Sequence, residues 1–264
     1  MPSCANEFLP TRFEPPRAGL RLYRVDMATG NEVTTWSADS TAAGFGALDR
    51  ELWWRAGYRF IPAGLGLDTT GRTGTVLDVG CGSGEIATWL AREFDVDVLG
   101  VDTSPAMLAR AEPADRVHYR EVPPGDLPFE DGSVDSAFAA FVYVCEPDPD
   151  VLTRLTREVH RVVRPGGRFA VLDSNPDTTG VDFGGLQHGE PDVHYQAGDP
   201  LPVALRRADG GWMRIQDVYW PASTYVDLFR AAGFAGIAVR RPPDTTAAGE
   251  TAAPFLLVTG TRPN

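Results

Sequence analysis

The stretch TVLDVGCGSGEIATWLA, residues 75–91, decides how the rest of the chain is read. Val76, Leu77, Asp78 and Val79 form a short, mostly apolar run with the length of a buried strand. The run breaks into Gly80-Cys81-Gly82-Ser83-Gly84, after which Ile86, Ala87, Leu90 and Ala91 recur at helical spacing. Strand, glycine turn and helix together bring a nucleotide-like ligand onto a helix N-terminus. Glycine lets the backbone turn sharply and removes the Cβ that would stand between main chain and ligand. A glycine triplet is weak by itself, so its meaning depends on what surrounds it.

Downstream, the pattern alternates. A second strand over 97–101 ends at Asp102, and Ser104-Pro105 opens a helix through Ala111, with serine at the cap and proline in the first turn. Strands follow over 117–122 and 134–144, then a helix from Asp148 that stops at Arg164-Pro165-Gly166-Gly167, then a strand over 168–173. Strand and helix in alternation call for a parallel sheet with right-handed crossovers. Residues 175–220 break the rhythm, with a hairpin expected between 203–207 and 212–220 across Asp209-Gly210-Gly211. Ser223 is expected to cap a helix through Ala232 that stops at Gly233, and strands over 237–240 and 255–261 complete the sheet. Upstream, 20–36 reads as a hairpin. Residues 40–64 read as helical and aromatic, either packed on the sheet or placed as a lid over a ligand.

Composition narrows the class. The 264 residues can bury a full core as one domain. The net charge is −12, every basic residue is arginine, and no basic run is present, which argues against nucleic acid as a partner. Cys4, Cys81 and Cys145 have neither disulfide-framework nor metal-ligand spacing, so a reduced, cytoplasmic setting is expected, with no metal. The first residues lack the apolar core of a signal peptide, and no run has the length to span a bilayer.

Four separated features agree: the glycine loop with Asp78, Gly80, Cys81, Gly82 and Gly84; Asp102 about 20 residues on; Asp126-Leu127 after the third strand; and the Arg164–Gly167 turn. Together, VLDVGCGSGEIATWLA, VLGVDTSPAMLARA, GDLPFEDGSVDSAFAAF and LTREVHRVVRPGGRFAVLD resemble the class I S-adenosylmethionine-dependent methyltransferases of the ubiquinone/menaquinone and small-molecule type. The resemblance implies a Rossmann-like, doubly wound, mostly parallel seven-stranded α/β sheet with an N-terminal helical lid and an inserted hairpin after strand five. It implies one domain: an extension and lid over 1–65, a cofactor core over 70–175, a substrate-side insert over 176–220 and a C-terminal part over 221–264.

It also implies S-adenosylmethionine as cofactor. The backbone around Gly80 would hold the methionine end, Asp102 with Thr103 the ribose, Met107, Asp126 and Leu127 the adenine, and Phe141 the methyl-donor end. A nicotinamide site is the competitor, but Glu85 stands where G-x-G-x-x-G places its third glycine. The expected reaction is methylation of O, N or C in a small molecule of secondary metabolism. Alternatives of the same fold are a cyclisation, decarboxylation or hydroxylation, or binding without catalysis. If a base is used, His188, His194 and Tyr143 are the candidates, with Tyr195 and Glu146 behind them, whereas His160 reads as structural. Trp212, Tyr219 and Trp220 either line an apolar pocket or staple the insert to the core. A free edge of the inserted hairpin offers a route to a homodimer.

Overall fold

The computed structural model describes residues 34–67 and 74–264. The hairpin expected over 20–36 and Cys4 lie outside the described residues, apart from 34–36.

In chain order the elements are α1 (Asp39–Gly46), α2 (Glu51–Ala56), α3 (Ile61–Leu65), β1 (Thr75–Val79), α4 (Glu85–Phe94), β2 (Asp97–Asp102), α5 (Pro105–Leu108), β3 (Val117–Glu121) and β4 (Val134–Ala140). They continue with α6 (Pro149–Val162), β5 (Val163–Ser174), β6 (Leu186–His188), β7 (Pro200–Arg206), β8 (Trp212–Val218), α7 (Ala222–Ala232), β9 (Ala235–Arg240), β10 (Asp244–Thr245), β11 (Thr251–Ala252) and β12 (Phe255–Thr261).

Seven strands form the main sheet in the order β3-β2-β1-β4-β5-β12-β9. The first five run parallel, and β12 runs antiparallel to both neighbours. β1 is buried along most of its length because helices cover both faces of the sheet. Val76 joins one core with Ile86 and Leu90 of α4 and with Trp53 and Ile61 of the N-terminal helices. Leu77 and Val79 join the other, with Leu152 and Val159 of α6 and Phe229 of α7. The strand order reverses between β1 and β4, and in such sheets ligands bind beyond the strand C-termini at that point.

Local chemistry accounts for most element ends. Asp148 caps α6 by accepting from the Asp150 amide at 2.8 Å, with Pro149 in the first turn. α5 is shorter than expected: after Leu108 the bonds tighten to the i−3 type, as Arg110 and Ala111 donate to Met107 and Leu108. β4 ends at Ala140 rather than 144, because Phe141 takes φ 57° and turns the chain out of the sheet. The α7 cap is corrected as well. Pro221 occupies the cap position, and Ser223 sits inside the first turn without a capping bond.

The insert is a three-stranded antiparallel sheet, β6-β7-β8, rather than a hairpin. Thr34 donates to the Gln216 carbonyl at 2.9 Å, so the β8 edge is already paired there. Trp220 is buried, and its indole N–H is shared between the carbonyls of Tyr143 at 3.1 Å and Glu146 at 3.2 Å. It staples the insert to the turn after β4. Trp220→Phe keeps an aromatic ring but deletes the donor, leaves two carbonyls short of a partner and opens a gap, and is expected to cost about 2–4 kcal/mol. A melting curve checks this; an unchanged Tm contradicts the stapling role. Among the described residues no helix is long and apolar enough to cross a membrane.

Candidate active site

The glycine loop connects β1 to α4 with its backbone pinned to β2. The amides of Gly80 and Cys81 both donate to the Val101 carbonyl, at 2.7 and 2.9 Å. Two glycines are required sterically. Gly80 has φ 72° and a Cβ there would run into Val142; Gly84 has φ 77° and a Cβ there would run into the Tyr119 ring and hydroxyl.

Asp102 closes the loop from the end of β2. Its carboxylate accepts from the Gly82 amide and from the Ser104 amide, each at 2.8 Å. Burial pushes this carboxyl above the usual range, against the opposing pull of the amides of Ser104, Gly82 and Thr103. Asp78, 2% exposed, has one carboxylate oxygen with no partner. Burial pushes its carboxyl well up, and the Asp102 charge adds to that. A buried oxygen without a donor is costly, and a cationic or N–H group of a ligand satisfies it. The loop therefore suits a ligand with an ammonium end and ribose hydroxyls, which S-adenosylmethionine has.

These groups open into one cavity of about 270 Å³, near the low end of the roughly 300–1,000 Å³ typical of small-molecule sites. Asp78, Gly80, Cys81 and Gly82 line its floor, followed by Asp102, Thr103 and Met107, then Asp126, Leu127 and Phe141. Gly84 lies behind this wall at the start of α4. The opposite wall is apolar. Trp36, Phe45, Trp53 and Tyr58 come from the N-terminal segment, and Leu186, Val203, Leu205 and Ile215 from the inserted sheet.

A family model described as a methyltransferase domain matches residues 76–167, the strands and helices that build the loop side of the cavity. The N-demethylindolmycin N-methyltransferase of Streptomyces griseus is 34% identical over 235 residues, covering 86% of this chain and 99% of its own length. The chain belongs to the S-adenosylmethionine-dependent methyltransferases. Solved structures agree in fold. The CcbJ methyltransferase of Streptomyces caelestis superposes with a TM-score of 0.56 at 20% identity, covering 87% of this chain and 94% of its own. The [4+2]-cyclase SpnF superposes with 0.55 at 19%, covering 80% and 83%. At that identity the two show the fold alone.

None of the three histidine and tyrosine candidates lines the cavity of this methyltransferase. Tyr143 is fully buried behind it, its hydroxyl 2.9 Å from that of Thr156 and its ring stacked on Tyr225. His188 is fully buried in β6 with Nε2 2.9 Å from the Asn175 carbonyl, and burial pulls its pKa down to about 4. His194 is exposed on the loop between β6 and β7. Tyr195 stacks on Tyr219 outside the cavity, and His160 packs edge-on against Phe234 on the far face.

Besides Asp78, Asp102 and Asp126, the acids that line the cavity are Glu85, Glu146 and Asp217, and Glu85 is already engaged by the Trp54 indole N–H at 2.9 Å and by Arg50 at 3.6 Å. Asp217 was not singled out by sequence reasoning, although a signal existed. In β8 it shares a strand face with Met213 and Ile215, where an apolar residue would be expected. It is 4% exposed, its Oδ1 lies 3.9 Å from the Cys145 thiol, and burial pushes its pKa up to about 7.

Proposed function

We propose that this methyltransferase transfers a methyl group to a nitrogen of a small, largely apolar, aromatic molecule. The observation that carries the reading is the cavity that joins a cofactor-type floor to an aromatic and aliphatic wall. The relative from Streptomyces griseus, alike over nearly its whole length and so across the insert, is an N-methyltransferase by name.

S-adenosylmethionine, when bound, supplies an electrophilic methyl group on a sulfonium. The remaining work belongs to the chain. Asp78 and the Gly80–Gly82 backbone would hold the amino-acid end, Asp102 and Thr103 the ribose, and Met107, Asp126 and Leu127 the adenine. Phe141, in a backbone region that an aromatic residue rarely occupies, would fix the methyl-donor end of the floor. The N-terminal helices and the insert would bury the acceptor and exclude water, so alignment and desolvation do most of the catalysis. The acidic net charge and the modest cavity support a small acceptor rather than nucleic acid.

Incubation with S-adenosylmethionine and N-demethylindolmycin tests this. S-adenosylhomocysteine is expected to accumulate in step with a product heavier by one methylene. Acceptor conversion without S-adenosylhomocysteine would instead indicate a non-methylating reaction.

A further inference from the structure

We infer that Asp217 is the proton acceptor of the methyl-transfer step, a catalytic residue supplied by the inserted sheet rather than by the cofactor-binding core. This rests on the acceptor occupying the cavity just described.

The geometry is specific. β8 pairs with β7 in a register that sets Asp217 opposite Leu201, and strand alternation puts its side chain on the face of Ile215. Both residues line the cavity, alongside Phe141 and Cys145 from the turn after β4. Asp217 makes no ion pair among the described residues. The titratable groups around it are the Cys145 thiol in front, and behind it the Asp173 carboxyl of β5 with the Tyr225 hydroxyl of α7. None of these carries positive charge.

An acid buried in an apolar wall without a cation costs folding energy, and packing alone would be better served by an apolar side chain. The same surroundings make the carboxylate a stronger base than one in water, and its pKa of about 7 is matched to proton transfer near neutrality. Glu146 is less suited. Its carboxylate already accepts from the Asp148 amide at 2.8 Å, which shapes the start of α6.

The step balances. The acceptor nitrogen uses its lone pair to form the N–C bond while the C–S bond breaks, and sulfur keeps the bonding pair. The N–H proton passes to a carboxylate oxygen of Asp217, which returns it to water once product leaves. A weakly basic N–H, as in an amide or an azole, needs such a base most, so that class of acceptor is the one the site fits.

The test uses the full chain with S-adenosylmethionine and N-demethylindolmycin. Asp217→Asn is expected to lower kcat about 10²–10³-fold with S-adenosylhomocysteine affinity retained, while Asp217→Glu recovers part of the loss. Wild-type kcat/KM should fall below a pH of about 7, and that acid limb should vanish in the Asn variant. An Asn variant that keeps both kcat and the limb overturns the assignment. A binding arm uses indole, an N–H donor, with the S-adenosylhomocysteine-loaded protein. Its affinity should rise several-fold as the pH passes upward through about 7 in the wild type and stay flat in Asp217→Asn. If N-demethylindolmycin is not methylated, the substrate reading fails and the indole arm decides on Asp217. Identical, pH-independent indole binding by both proteins removes it.

Discussion

Asp102→Ala weakens S-adenosylhomocysteine binding by at least about 100-fold while the chain stays folded. The carboxylate accepts from the amides of Gly82 and Ser104, so its removal unties the glycine loop from the end of β2. Two charge-assisted hydrogen bonds from the ribose hydroxyls, at about 1.5–3 kcal/mol each, would exceed the roughly 2.7 kcal/mol that 100-fold represents, and the untied loop adds to the loss. The bonds to the Gly82 and Ser104 amides belong to the folded chain, so stability is expected to fall as well, offset in part because the burial cost of the carboxylate goes with them. Asp102→Asn keeps one acceptor oxygen and is expected to fall between the two. Titration calorimetry measures all three proteins, and wild-type affinity in the Ala variant contradicts the role given to Asp102.

Raising the pH from about 4 to 7 destabilises the wild type through Asp217, and Asp217→Asn removes that part of the slope. The folded carboxyl holds its proton up to about 7, whereas an ordinary aspartate loses it near 3.8. Across that window the folded state binds the extra proton. The stabilisation is complete below the unfolded pKa, fades as the pH rises through the folded one, and is level above it. At about 1.4 kcal/mol per pH unit, the fully buried group shifts stability by up to about 4 kcal/mol. Asp78 and Asp173 are displaced in the same direction by burial and add to the trend. His188, pulled down to about 4 by burial, acts with the opposite sign between about 4 and 6.5, and Glu158, held low by Arg161, does so only at acid pH, so the slope is read as the difference between the wild type and Asp217→Asn.

At a pH of about 8, Asp217→Asn should therefore melt several degrees above the wild type, at about 2–4 °C per kcal/mol. The two should converge near pH 4. Parallel melting curves would show that Asp217 titrates as an ordinary surface acid. One substitution that lowers turnover and raises Tm is the pattern expected where an unfavourable buried charge is kept for chemistry.

What could be read from the sequence, and what could not, follows the range of the interactions. Gly80, Cys81, Gly82, Asp102, Asp126 and Leu127 sit at strand ends or in the turns beyond them, and Met107 in the short helix that follows β2, where local chemistry places them, and all line one cavity. All seven strands of the sheet were legible, but β5 begins at Val163 and takes in the Arg164–Gly167 stretch that reads as a turn, because α6 ends at Val162 and the chain passes straight into the strand. β6 was not legible, because three residues hold too little pattern to see.

The acid–base candidates show the deeper limit. His188 and Tyr143 have the right chemistry, but packing turns both into the interior, where the Asn175 carbonyl meets His188 Nε2, its Nδ1 staying unpartnered, and Thr156 meets the Tyr143 hydroxyl. Asp217 faces the cavity only because the insert folds back onto the turn after β4, where Trp220 fastens it. That contact spans more than 70 residues and leaves no local trace beyond an acid on an apolar strand face.

The central claim is methyl transfer to nitrogen inside this cavity, and isotope labelling tests it most directly. The protein is supplied with S-adenosylmethionine carrying a ¹³C methyl group and with N-demethylindolmycin, and the product is read by NMR. The account predicts the label on an N-methyl carbon, with S-adenosylhomocysteine formed in equal amount. Label on carbon or oxygen, or label retained in the cofactor while the acceptor is consumed, would contradict it.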